Sequence, residues 1–233
     1  METGLPVLAF EESRLRLDPD EAPTAPLTLA VPPGALVTAD LRGPHRRRRF
    51  ADAASGLSPP VAGNLLFQGR DWREVPPEHA AAMRGRIGRL FAGDAWLPEL
   101  GTDENILLGP CFHTTRPIAA LREEAARLAA LFGLPGLPTV PPEDLPPEDL
   151  HRAGLVRAFL NSLALVILEE PLEIDGSRLL PALMTAVRDV RDRGGAVLWL
   201  TRGLPGAVDR TLPATARYRL SQGALLPVAE QAA

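Results

Sequence analysis

Apolar residues recur along this chain with two different spacings, and the change from one to the other organises it. In the first third the apolar segments are short and bounded by turn residues. Leu27 to Val31, Ala35 to Leu41 and Asn64 to Phe67 are separated by Pro32-Pro33-Gly34 and followed by Gln68-Gly69-Arg70-Asp71. Such runs between proline and glycine punctuation predict strands joined by tight turns. A helix is predicted over Pro77 to Arg84, with proline in a first turn that has no use for its missing N–H, and a strand over Ile87 to Phe91. The middle has helical spacing. Ile118, Leu121, Ala125, Leu128 and Leu131 form one stripe between Arg116 and Phe132, with Arg122, Glu123, Glu124 and Arg127 largely opposite, and Gly133 stops it. The segment Pro141 to Leu150 repeats PPEDL, too short for a solenoid and too rich in proline for a helix interior. A helix is predicted to begin near its end and run to Ser162.

The last third alternates cleanly. Leu163 to Leu168 and Ala196 to Thr201 are continuous apolar runs, as strands buried on both faces should be. Between them Arg178 to Arg193 reads as a helix, with Pro181 in its first turn and Gly194-Gly195 at its end. Tyr218 to Leu220 and Ala224 to Pro227 read as a hairpin around Gln222-Gly223. Strand, helix and strand on short links predict a parallel sheet with right-handed crossovers. The predicted class is α/β, with an antiparallel β flank and a helical insertion.

Composition narrows the function classes. The 233 residues are 45% hydrophobic and 23% charged, with a net charge of −4, which suits one large domain or two small ones and excludes disorder as the main state. Proline, at 25 residues, is about twice its average usage of roughly 5%. All 25 basic residues are arginine, so no step here can use a lysine amine. Cys111 is the only cysteine, and His45, His79, His113 and His151 are scattered, which predicts no metal centre. The first residues, Met1 to Arg14, hold Glu2, Glu11 and Glu12 and do not read as a signal peptide. No apolar run approaches a membrane span. A soluble protein of a reducing compartment is expected, and the mild acidity argues against a nucleic-acid partner.

In the order of its segments the chain resembles the nucleotide-binding subunit of ATP-binding-cassette (ABC) transporters, over roughly Val7 to Val228. The residues that carry this are Val31-Pro-Pro-Gly34 with the strand after it, and Ser55-Gly56-Leu57 with the Gly63 to Asp71 hairpin. Further on come Ile87 to Phe91 with Leu97 to Ile106, then Leu145 to Leu160, Leu165 to Pro171 and Val197 to Arg202. The resemblance implies a P-loop NTPase-like ABC ATPase fold in a single domain. Residues 1–92 and 163–233 would form the core, and about 93–162 a helical subdomain. Within the family the likeness extends to ATPases of Mla/Mce-type lipid transport.

The chemistry that the family performs is largely replaced. A phosphate loop needs glycines whose N–H groups close on phosphate oxygens, a lysine, and a hydroxyl for magnesium. Here the stretch is Leu41 to Phe50, with Arg47 at the lysine position, Arg46 at the preceding glycine and Arg48 at the hydroxyl, while Pro44 removes a donor. Ala92 stands at the sensing glutamine, and Leu145-Pro146-Pro147-Glu148-Asp149 replaces the signature LSGGQ. Arg202 stands at the switch histidine. Glu170 matches the catalytic glutamate, Glu169 replaces the metal-binding aspartate, and Asp175 falls at the aspartate of the following loop.

The expectation is therefore a non-catalytic ATPase-like subunit, a scaffold or coupling component of a membrane transport complex at the cytoplasmic face, with no cofactor. Trp96 and Leu97 would contact an integral membrane permease. The chain would dimerise with itself or with another cassette-like chain, Arg46, Arg47, Arg48 and Arg49 facing Glu143, Asp144, Glu148 and Asp149 of the partner. The alternative is an ATPase that binds ATP and magnesium through an arginine-rich loop. Nucleic-acid binding through Arg46 to Arg49 ranks below both, because no second basic cluster extends that footprint.

Overall fold

A computed structural model describes residues 4–93, 95–174, 176–204 and 206–228. Two sheets organise the chain. The smaller is antiparallel, in the order β2-β1-β4-β5, from β1 (Leu8–Arg14), β2 (Leu27–Val31), β4 (Ala62–Phe67) and β5 (Arg70–Asp71). The larger runs β10-β9-β3-β8-β7-β6, from β3 (Leu36–Asp40), β6 (Ile87–Leu90), β7 (Leu165–Glu169), β8 (Ala196–Thr201), β9 (Ala216–Ser221) and β10 (Ala224–Pro227). Neighbours from β9 to β6 are parallel, and β10 closes the edge as an antiparallel hairpin partner.

The continuous apolar runs are explained by two cores on opposite faces of the large sheet. Along β7, Leu165 and Ile167 face the first core while Val166 and Leu168 face the second. Along β8, Leu198 and Leu200 join the first core, and Val197 and Trp199 the second. The first core lies between the two sheets and holds α1 (Pro44–Ala54). The second lies under α4 (Ile118–Leu131), α5 (Pro147–Phe159) and α6 (Leu180–Asp192), with α3 (Thr102–His113) packed beside them. The Leu183, Ala186, Val187 and Val190 stripe of α6 repeats at helical spacing and is buried throughout.

Most predicted elements occur where the pattern placed them, including the Pro77–Arg84 helix (α2) and the Ala196–Thr201 strand. The apolar pattern by itself misses β1, α1, α3, the two-residue β5 and the short α7 (Gly206–Thr211), although the resemblance at Ser55-Gly56-Leu57 implies the helix that ends there. In α3 the buried positions include Thr102, Asp103 and Asn105, and Pro110 lies inside, so no apolar stripe marks it. No described helix is long and apolar enough to cross a membrane.

Candidate functional site

The carboxyl ends of β3, β7 and β8 meet the start of α1, and the resemblance places its phosphate chemistry there. Leu41 N–H donates to the Thr201 carbonyl at 2.7 Å, binding the β3 exit to the end of β8. Gly43 then turns the chain at φ 95°, a conformation that favours glycine, and α1 begins at once with Pro44 in its first turn. Pro44 opens the helix, and being proline it supplies no N–H to the free donors of that first turn. Only Leu41, Arg42 and Gly43 separate β3 from α1. No side chain caps α1, so its first free N–H groups remain available to an anion.

The four arginines diverge in role. Arg46, half-buried, pairs with Glu21. Arg47 points inward and is buried: its Nη1 donates to the Leu41 carbonyl at 2.9 Å, and its Nε lies 3.3 Å from Glu170 Oε1. Arg48 is exposed and Arg49 half-buried. A cavity of about 400 Å³ beside Arg46 is lined by Leu17, Glu21, Ala22, Thr24 and the Gln222-Gly223 turn.

Both carboxylates that close β7 are engaged. Glu170, at φ 48°, accepts the Arg202 N–H at 2.5 Å and the Thr201 hydroxyl at 3.4 Å, besides facing Arg47. Burial pushes its pKa up, with Arg47 opposing the shift. Glu169 accepts Arg89 Nε at 2.7 Å, and Arg89 Nη1 reaches Asp52 of α1 at 2.6 Å. Arg89 Nη2 donates to the Arg48 carbonyl at 3.3 Å, and its guanidinium lies 4.4 Å from the centre of the Phe91 ring. Burial raises the Glu169 pKa too, against the pull of Arg89 and of the Ala92 N–H. Arg89 and Asp52 were not singled out in the sequence. The signal was present, because one arginine in a four-residue strand aligned with β7 must find a partner.

Elsewhere the candidate residues fall into separate places. Glu143, Asp144 and Glu148 are exposed before and at the start of α5, and Asp149 pairs with Arg152 at 3.3 Å. Within the chain these acids do not meet the arginine run, since Arg46 and Arg47 have their partners elsewhere. The Arg202 side chain is exposed beside a cavity of about 510 Å³ that Glu170 and Thr201 also line. Trp96 is half-buried against the second core, whereas Leu97 is exposed, its backbone held by the Asn105 side chain. Asp175 lies outside the described residues.

The donor set at α1 fits the oxygens of a phosphate group, given an uncapped helix start, two outward arginines and an adjoining cavity. For magnesium the provision differs, since Arg48 replaces the hydroxyl and both Glu169 at the end of β7 and Glu170 after it already hold guanidiniums.

No family model matches the chain. Curated relatives do. The ferric-ion import ATP-binding protein FbpC 1 of Rhizobium meliloti (strain 1021) is 29% identical over 171 residues, 72% of this chain and 46% of that protein. The spermidine/putrescine import ATP-binding protein PotA of Acidothermus cellulolyticus is 28% identical over 171 residues, 72% of this chain and 43% of its own. The chain spans less than half the length of these two relatives. Among solved structures, the dimeric bacterial ABC transporter cassette MJ0796 superposes with a TM-score of 0.80 at 15% identity, covering 94% of this chain and 96% of that one. A post-hydrolysis form of the same cassette, bound to ADP and Pi, gives 0.79 at 15% identity and the same coverage. The fold is that of an ABC ATPase cassette. The expectation of no cofactor is overturned by these findings, because the relatives are named ATP-binding proteins and a structural neighbour holds ADP.

Proposed function

We propose, for a chain related in sequence and in fold to the ATP-binding domains of ABC transporters, that it is the nucleotide-binding subunit of a membrane transport complex. Its phosphate site is built from arginine, and hydrolysis there is weak or lost. It would sit on the inner face of the membrane, against a permease subunit. The observation that carries this reading is the uncapped start of α1 beside Arg46 and its cavity, a place for phosphates, while Glu170 is engaged by Arg47.

In this reading the α1 N–H groups, Arg46 and Arg48 meet the phosphate oxygens. Bound nucleotide with its magnesium supplies the phosphoryl group and part of its charge balance. A general base must reach the proton it takes, and here the Glu170 carboxylate is held by Arg47 and by the Arg202 N–H. Ala92 offers no side-chain amide and Arg202 no imidazole. Fewer groups are left to stabilise a transferring phosphoryl group.

Dimerisation belongs to the same proposal. With Arg47 turned inward, Arg46, Arg48 and Arg49 are the residues that would face Glu143, Asp144, Glu148 and Asp149 of a second cassette-like chain when no nucleotide is bound, and Arg49 alone keeps that role once Arg46 and Arg48 hold phosphate. Exposed pairs of this kind contribute ~0–1 kcal/mol each. The cargoes in the relatives' names, ferric ions and spermidine or putrescine, are not lipids and lend the Mla/Mce-type expectation no support.

Titration of the purified chain with ATP and with ADP, with and without magnesium, tests the reading, followed by a phosphate-release assay. Saturable binding with no release above background is the expected result. Absence of binding under all four conditions would overturn the nucleotide role. Release that Glu170→Gln abolishes would overturn the loss of hydrolysis.

A further inference from the structure

Resting on that reading, we propose that the phosphate site carries its own competitor. Glu21, on the loop that joins β1 to β2, holds Arg46, and a phosphate ligand gains this arginine only by taking it from Glu21.

Arg46 is the third residue of α1, within the uncapped first turn. Side chains on a helix lean toward its N-terminus, and this one folds back over the entry: its Cγ and Cδ would stand 3.9 Å from a Cβ on Gly43. There its Nη2 donates to the Glu21 carboxylate. Both residues line the cavity of about 400 Å³ beside the helix start. The two ion pairs of this region differ in access. The Arg46 side chain is 32% exposed and that of Glu21 52%, against 6% for Arg47 and 10% for Glu170. Arg47 is shut in with its carboxylate, whereas Arg46 and Glu21 are open to an incoming anion.

The loop presents this carboxylate from a fixed base. Leu15 N–H donates to the Thr24 hydroxyl at 3.0 Å, and Thr24 N–H returns to the Leu15 carbonyl at 2.9 Å. Ala25 N–H donates to the Gly223 carbonyl at 2.9 Å, which ties the loop to the turn on the far side of the cavity. The backbone at Glu21 is held as well, because Arg16 Nη1 donates to its carbonyl at 3.2 Å. Asp18 and Asp20 lie on the same tip, where the Asp20 N–H donates to the Asp18 carboxylate at 3.2 Å. Glu21 is the carboxylate that reaches Arg46. A guanidinium facing a carboxylate offers a phosphate little net charge. Phosphate oxygens must displace Glu21 to make their own charge-assisted bonds there. A solvent-open ion pair is weak, so the competitor lowers affinity without closing the site.

Calorimetric titration of the full chain with ADP and with inorganic pyrophosphate tests this. Glu21→Gln should bind both about two- to fivefold more tightly than the parent. Asp20→Asn removes an equal charge one residue away, on an exposed side chain with no bond to Arg46, and should leave affinity within roughly 1.5-fold. In an Arg46→Met background, Glu21→Gln should recover no more affinity than Asp20→Asn does. Both loop positions are exposed, and thermal melts show that each variant is folded. Equal binding by the parent and Glu21→Gln would overturn the proposal. So would an equal gain from Asp20→Asn, or a gain that persists without Arg46, since either makes Glu21 a background charge. All three results leave the nucleotide reading standing. Absence of ADP and pyrophosphate binding from the parent and from Glu21→Gln would overturn that reading and this one together.

Discussion

Two regions of this protein draw arginine inward, and they treat its charge in opposite ways. At the carboxyl end of β7, Arg89 meets Glu169 and Asp52 and Arg47 meets Glu170, so neither guanidinium lacks a carboxylate inside the molecule. In a groove some way along β6 and α5, Arg157 is packed against aromatic rings and has no carboxylate partner among the described residues. A protein does not gain stability from desolvating a lone charge. The first arrangement is closed by ion pairs, whereas the second rests on a carbonyl and two aromatic rings.

The sharpest way to break that contrast is to remove Arg89. Its side chain is 5% exposed and that of Glu169 1%, so Arg89→Leu strands a carboxylate with no route to water. A loss of about 3–5 kcal/mol in urea unfolding is expected. The double variant Arg89→Leu/Glu169→Leu should recover most of it, because Asp52 stays partly solvated. A single variant as stable as the parent would mean that the pair is not an internal balance.

Gly88 tests what both arginines share. A Cβ there would stand 1.9 Å from the Ala158 carbonyl oxygen, so β6 and α5 approach only because this residue has no side chain. Gly88→Ala should cost about 1–3 kcal/mol and disturb Arg89 and Arg157 together, since one adjoins Gly88 on β6 and the other adjoins Ala158 on α5. A variant as stable as the parent in urea unfolding would mean that β6 and α5 can separate around a methyl group at no cost.

Arg157→Met should be close to neutral in the isolated chain. It forfeits the hydrogen bond to Ala95 and two ring contacts of about 0.5–1 kcal/mol each, while relieving the burial of a charge that has no partner. A net change within about 1 kcal/mol is expected by the same unfolding measurement. A loss matching that of Arg89→Leu would assign Arg157 to the core.

The same contrast marks what could be read in the sequence. Strands β7 and β8 were legible because burial on both faces leaves an uninterrupted apolar run, and α2, α4 and α6 because a cap, a stripe or a glycine stop marked them. β1 was not legible, since its Glu11-Glu12 face lies in solvent and a bulge interrupts its pairing. Nor was α1: four consecutive arginines look like a loop until Gly43 and Pro44 are seen to start a helix. The candidate site was legible position by position, from Arg47 and Ala92 to Glu170 and Arg202, because the succession of segments carries those positions. The balance among the groups was not legible. That Arg47 turns to Glu170, that Arg89 unites Glu169 with Asp52, and that Arg157 has no anion all depend on side chains brought together from 37 to 123 residues apart.

The smallest effect concerns pH, and it examines how complete the internal balance is at Glu170. Burial raises this carboxyl's pKa above its ordinary value more than Arg47 and the Arg202 N–H lower it. The folded protein therefore holds the Glu170 proton more tightly than the unfolded chain does. The stability this contributes is fully present below the ordinary glutamate pKa and is lost as pH rises through the raised one. Glutamine mimics the protonated form at every pH. Thermal melts of Glu170→Gln and the parent should then differ little at pH 4, and the variant should gain on the parent progressively towards pH 7. The Arg202 N–H keeps an acceptor in the amide oxygen, so the backbone contact is conserved in the comparison. Were the variant instead to fall behind the parent as the pH rises, the Arg47 contact at 3.3 Å would outweigh the burial of the charge. Glu170 would then be as firmly paired as Glu169, and the phosphate end would be closed by two full ion pairs.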